Sequence, residues 1–175
     1  MSEKTSTTIK ILTQKKYWVY LLLALSWLAI GGFTPPADIL SSLFAISGIL
    51  LLYTIFDLIG YEAFKPNISR TPEDNLNLLQ SYRILQTMFK VILTGFTWSF
   101  FDWKVAGGFW LLSWFGNADL LYYLIGKYSL REVQWTWLKW TPFGMMAKYL
   151  DSVFVVIQCL IGWCLLILFL LIINE

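Results

Sequence analysis

The chain has 175 residues, 58% of them apolar and 14% charged, with 13 lysines and arginines, 11 acids and no histidine. An average soluble domain is roughly 45–50% apolar and about 25% charged, and a chain of this size still leaves about a third of its surface in water. The apolar surplus excludes a water-soluble fold, a disordered chain, a disulfide scaffold and a soluble nucleic-acid binder, and it predicts an integral membrane protein.

Residues 1–16 read as a cytoplasmic tail ending in Lys15 and Lys16. The apolar run Tyr17–Phe33 is expected to be a retained span, because Thr34-Pro35-Pro36-Ala37-Asp38 behind it is poor context for signal cleavage. Thr34 can cap and Pro35 suits the first turn of a second span, Ile39–Gly60. In the cytoplasmic connection 61–82, Thr71 offers a cap, Pro72 a first-turn proline, and Glu73 and Asp74 complement the helix dipole. A third helix is therefore predicted to start near Pro72 and run for about 30 residues, roughly 45 Å, through the span Ile84–Phe101.

A fourth span is predicted over Val105–Ile125. In the cytoplasmic connection 127–148, Ser129-Leu130-Arg131-Glu132 matches a capping box. It predicts an interfacial amphipathic helix carrying Trp135, Trp137 and Trp140, broken by Pro142 and Gly144 before the last span, Leu150–Ile173. Cys159 and Cys164 lie five residues apart on that span, so they point to different faces and read as apolar packers. Each run is too long for a strand, and none alternates with period two. The expected fold is all-α: one transmembrane helical-bundle domain over 1–175 with five spans.

The cations set its orientation. Lys4, Lys10, Lys15, Lys16, Lys65, Arg70, Arg83, Lys127, Arg131, Lys139 and Lys148 fall on one side, against Lys104 on the other. Positive charge accumulates inside, so the N-terminus is expected inside and the C-terminus outside. The sequon Asn67-Ile68-Ser69 falls on the inner side and is discounted. A bacterial cytoplasmic membrane is the expected location.

Charge inside a span is costly and points to function. On the third helix Gln80, Arg83, Gln86, Thr87, Lys90, Thr94 and Thr97 fall within about 60° of one line. This polar stripe is either interhelical glue or the wall of a site. Lys90 and Asp119 sit at matching depth on antiparallel helices, roughly 10 Å from the inner boundary, and are expected to pair. Gly108 and Gly116 lie on the side of Asp119 and would admit a neighbouring backbone, while Tyr122 and Tyr123 follow one turn on. Asp57, with Tyr53 and Tyr61 on its face, and Asp151, with Gln158 and Gly162 beyond it, approach the same inner half. Asp151 also suits a simple helix cap. Most tryptophans fall at span ends, as belts do, but Trp114 lies deeper.

The candidate ligand-binding set is thus Lys90, Asp119, Asp57, Asp151, Thr94, Tyr122, Tyr123, Arg83 and Trp114. The expected function is binding or translocation of an ion, a small polar solute or an amphiphile through a polar cavity open to the cytoplasm. An accessory subunit of a larger membrane complex and an enzyme on a lipid or prenyl substrate are the alternatives. No nucleophile motif, paired-acid motif or histidine supports catalysis, and neither a cofactor nor a metal site is expected. Membrane lipids are the expected partners, with a second copy or a partner membrane subunit, and no nucleic acid.

Overall fold

The computed structural model describes residues 15–33, 39–64, 72–131, 135–147 and 150–173. The turn at Thr34–Asp38, the Asn67 sequon, the Thr71 cap and Glu132 of the capping box lie outside them. Every regular element among the described residues is helical. In chain order they are α1 (Lys15–Phe33), α2 (Ile39–Phe64), α3 (Pro72–Phe100), α4 (Trp103–Trp114), α5 (Asn117–Gly126), a 3₁₀ turn (Thr136–Leu138), α6 (Pro142–Met146) and α7 (Ser152–Ile173).

The helix α2 is the hub, packed on α1, α3, α4, α5 and α7. Its sequence suits that place because it is apolar on all sides, with small residues where α1 crosses. Ser41, Ala45 and Gly48 form that crossing. Gly31 of α1 rests on Ala45, Gly48 rests on Leu28, and Ser41 Oγ donates to Gly31 O at 2.7 Å. Small residues let two helices approach closely. The main core joins Ala45, Ile46, Ile49 and Leu50 of α2 to Leu93, Val105, Phe109, Leu112, Ala118, Leu166 and Leu170. Gly108 does admit a neighbour, although what enters is the side chains of Ile46 and Leu166 rather than a backbone.

Two helices, Ile39–Ala63 and Ser152–Ile173, are long and apolar enough to cross a membrane. The apolar part of α1 is shorter. The third helix begins at Pro72, as its turn residues predict, and is 29 residues long, but Arg83 and Lys90 interrupt its apolar character. The fourth expected span is not one helix. It divides at Phe115-Gly116 into α4 of 12 residues and α5 of 10.

The amphipathic helix expected from Ser129 is also replaced. Ser129 Oγ accepts from the Arg131 N–H at 3.4 Å, and the described part of the connection beyond it is a 3₁₀ turn followed by α6. Burial outweighs local propensity here. Trp135 and Leu138 are fully buried beside Leu150, Val155 and Cys159, and Trp135 N–H donates to Leu150 O at 3.1 Å. Pro142 starts α6 rather than breaking a helix, with the Thr141 hydroxyl accepting from Gly144 N–H at 3.2 Å. Asp151 caps α7, accepting from Phe154 N–H at 3.0 Å.

Candidate functional site

The site is built around the helix break. Gly116 has φ 78°, a left-handed conformation that only glycine adopts readily. Its N–H turns back to Ser113 O at 3.0 Å, and α5 starts anew with Leu120 N–H on Gly116 O at 3.0 Å. Such a break frees backbone groups, and buried backbone groups must be satisfied. The Phe115 carbonyl accepts from Gln158 Nε2 at 3.0 Å and from the Cys159 thiol at 3.4 Å, both on α7. Asn117 Nδ2 donates to Leu112 O at 3.1 Å, closing the end of α4. Gln158 then uses its oxygen as well, accepting from Phe143 N–H at 2.9 Å. One fully buried amide therefore clamps the broken helix to the start of α6. Among the described residues, the Ser113 hydroxyl is the buried side-chain polar atom without a hydrogen-bond partner.

The segment 135–147 lies against this break, with Leu138 and Thr141 beside Gly116. It brings two tryptophans to the charges. Trp137 Nε1 donates to Asp119 Oδ1 at 3.1 Å. The Trp140 ring stands 5.9 Å from Lys90 Nζ, and the Trp140 carbonyl accepts from Trp114 Nε1 at 3.0 Å.

Lys90 itself lies among rings. Its ammonium is 4.1 Å from the Trp110 centroid, 5.7 Å from Phe109 and 5.8 Å from Tyr53. The expected ion pair is absent: no acid among the described residues approaches Lys90 within 4.0 Å. Asp119 acts on it through space instead. Rings surround Lys90, and Trp137 sits on the Asp119 carboxylate.

Thr94 is drawn into the site as a support, accepting from Trp110 Nε1 at 2.8 Å. The rest of the polar stripe is divided. Gln86, Lys90, Thr94 and Thr97 are partly or fully covered, whereas Arg83 and Thr87 are exposed. The helix α3 packs on α2 and α4, and the stretch of it that carries Arg83 and Thr87 is left largely exposed. Arg83 instead borders a shallow apolar hollow with Ile84, Met88 and Val91. Of the threonines, Thr94 joins two helices through Trp110, and all three spend their hydroxyl hydrogen within α3. Thr87, Thr94 and Thr97 each donate to the carbonyl four residues back.

Asp57 ties α2 to α3 by accepting from the Tyr82 hydroxyl and Gln86 Nε2. Tyr122 contacts the rings of Tyr61, Tyr123 and Tyr128, and Tyr123 those of Trp135 and Trp137. Asp151, exposed and occupied as a cap, takes no part in the cluster. Trp114 is exposed and contributes its N–H to the placing of Trp140. No group of three or more histidine, cysteine, aspartate or glutamate side chains gathers among the described residues.

Replacing Tyr82 by phenylalanine is expected to loosen α3. A hydrogen bond to a charged group contributes about 1.5–3 kcal/mol, reduced here because Asp57 keeps Gln86 as a donor and is only half-buried. The expected cost is about 1–2 kcal/mol, a drop in Tm of roughly 2–8 °C. Thermal unfolding in detergent checks it, and an unchanged Tm contradicts the role given to Asp57.

Sequence reasoning placed Trp110 in an aromatic belt and missed its role. The spacing holds the signal: Thr94 and Trp110 lie equally far on either side of Asp102, so an antiparallel hairpin turning there sets them opposite one another. Compared with protein-family models, curated proteins and solved structures, the chain matches none.

Proposed function

We propose that this chain is a polytopic membrane protein that binds and passes an ion or small polar solute at the broken fourth helix, between Lys90 and Asp119. In this reading α1, α2, α3, the α4–α5 pair and α7 make five crossings of a bacterial cytoplasmic membrane. The N-terminus is inside and the C-terminus outside. The outward surfaces support it. Leu22, Leu25, Ile84, Met88, Val91, Ile92, Leu160, Leu168 and Ile172 are all exposed, and contiguous apolar surface on this scale suits lipid rather than water.

The observation that carries the functional reading is the interruption of α4–α5. In the hydrocarbon layer, non-helical backbone is tolerated only where protein buries it or a cavity is lined by it. Membrane transporters use broken helices to expose backbone dipoles and charged side chains at mid-depth. Here the break is sealed by Gln158, carries Asp119 in the first turn of α5, and is covered by the segment 135–147. Trp137 and Trp140 stand at its charges.

Vesicles reconstituted with the purified chain test it, with proton, rubidium and choline fluxes as readouts. At least one flux is expected above that of empty vesicles, falling about tenfold or more in Asp119→Asn and Lys90→Met, equivalent to at least ~1.4 kcal/mol. No flux above empty vesicles, or full flux in both variants, contradicts the proposal. A double variant that assembles yet passes no flux upholds a functional role for the two charges, whereas one that assembles and keeps full flux marks them as structural only.

A further inference from the structure

We infer that the ring cluster around Lys90 is a binding site for an organic ammonium group, with Lys90 as its resident occupant. This deepens the proposed function and rests on it, because it names the class of solute or headgroup that the site takes.

Four rings from three parts of the chain lie within 6 Å of one ammonium: Tyr53 of α2, Phe109 and Trp110 of α4, and Trp140 of the covering segment. An ammonium over aromatic faces is held by the ring quadrupoles, and boxes of such rings recognise alkylated ammonium ions. Both tryptophans are fixed from outside the box, Trp110 by Thr94 and Trp140 through its carbonyl by Trp114. The walls therefore stand in place without the lysine. Trp110 and Trp140 remain 43% and 45% exposed, so the box is open on their side.

The charges favour a cation. Asp57 and Asp119 are two carboxylates that influence one another, and among the described residues Lys90 is the ammonium that acts on Asp119. The hydrogen-bond donors to these acids are neutral: Tyr82 and Gln86 on Asp57, and Trp137 on Asp119. With all three groups ionised, one negative charge is left over, which a singly charged guest balances. Hard inorganic cations bind through oxygen ligands, whereas this box is walled by rings. In this exchange an ammonium guest takes the ring faces and Lys90 swings off them toward the carboxylate of Asp119. The guest therefore exchanges one held cation for another and leaves no charge unpaired.

A free alkylammonium such as choline and the headgroup of a phosphatidylcholine lipid share this chemistry. The test uses the full chain in phosphatidylglycerol nanodiscs with radiolabelled choline. Saturable binding is expected, displaced by tetramethylammonium and not by equal potassium. Lys90→Met, which removes the competitor, is expected to tighten binding about tenfold, and adding Trp110→Leu to reverse that gain. Trp110→Leu in the native background should weaken choline binding by the same factor, which gives a reading should Lys90→Met fail to fold. Repeating the assay in phosphatidylcholine nanodiscs assigns the source, since lost choline binding marks a lipid headgroup and retained binding a free solute, and either upholds the site.

Absence of saturable binding in folded Lys90→Met overturns the inference, as does displacement by potassium equal to that by tetramethylammonium, or a Trp110→Leu variant that binds like its parent. Flux of another solute without choline binding sinks the ammonium assignment alone. Choline binding without any flux leaves the site and sinks translocation.

Discussion

Gly144→Ala is expected to unseat the segment 135–147 and with it the cover over the charged cluster. A methyl group at Gly144 would stand 1.8 Å from Leu138 O and 2.7 Å from the Leu138 carbonyl carbon. Those atoms are backbone, and they are already committed: Leu138 O accepts from Thr141 N–H at 3.0 Å and from the Thr141 hydroxyl at 2.7 Å. Neither neighbour can yield without breaking the turn that starts α6. Overpacking a well-packed site costs about 1–3 kcal/mol, and the lost Thr141 cap adds about 1 kcal/mol. The total, roughly 2–4 kcal/mol, corresponds to a fall in Tm of roughly 4–16 °C. Thermal unfolding in detergent reads this directly. Trp137 and Trp140 should also become more accessible to a soluble fluorescence quencher, and an unmoved Tm would mean that the segment does not turn as described.

Gln158→Met should be nearly as damaging, although it replaces one side chain by another of similar volume. Gln158 is fully buried, and its two ends serve two elements: the Phe115 carbonyl at the helix break and the Phe143 N–H at the head of α6. Methionine fills the space but leaves the Phe143 donor without its partner and Phe115 O with only the Cys159 thiol. Each buried backbone group left unsatisfied costs about 1–3 kcal/mol, so the expected loss is roughly 2–5 kcal/mol. Cys159→Ala removes only the weak thiol contact and should cost far less. Equal losses from the two variants, measured by unfolding in the same detergent, would contradict the clamp.

Much of the helical architecture could be read from the residues. Unbroken apolar runs marked α1, α2 and α7, and the turn chemistry at Pro72 marked the start of α3. The same signals failed where tertiary burial competes with local preference. Between Val105 and Ile125 only Ser113, Asn117 and Asp119 interrupt the apolar run, and its length outweighs the weak turn signal of Gly116-Asn117. Gly116 is one of several glycines, and what makes it a break is Gln158, 42 residues later, waiting to take the freed carbonyl. Likewise Ser129 and Trp135–Trp140 carry the residues of an amphipathic helix. Trp135 and Leu138 gain more by burial against α7 and Tyr123 than the helix would return.

The site was legible in part for the same reason. Lys90, Asp119, Asp57 and Thr94 were visible as polar groups within apolar runs, and Tyr122 and Tyr123 as their neighbours. Depth alone predicted that Lys90 would meet Asp119, because depth places charges along the helix axes and ignores what surrounds them. Aromatic side chains surround Lys90 and Trp137 sits on Asp119, and their arrival depends on a break and a return segment that no local spacing encodes. Arg83 shared the stripe of Lys90 yet is exposed. Asp151 behaved as its position at a helix start implied.

The seating of Trp137 on Asp119 joins the returning segment to the broken helix, and a double-mutant cycle of Trp137→Phe and Asp119→Ala measures it. A coupling of about 1–2 kcal/mol is expected in unfolding free energy, in keeping with a hydrogen bond to a charged group. Losses that simply add, within about 0.5 kcal/mol, would show that the tryptophan and the acid do not meet, and the account of the site would fail with them.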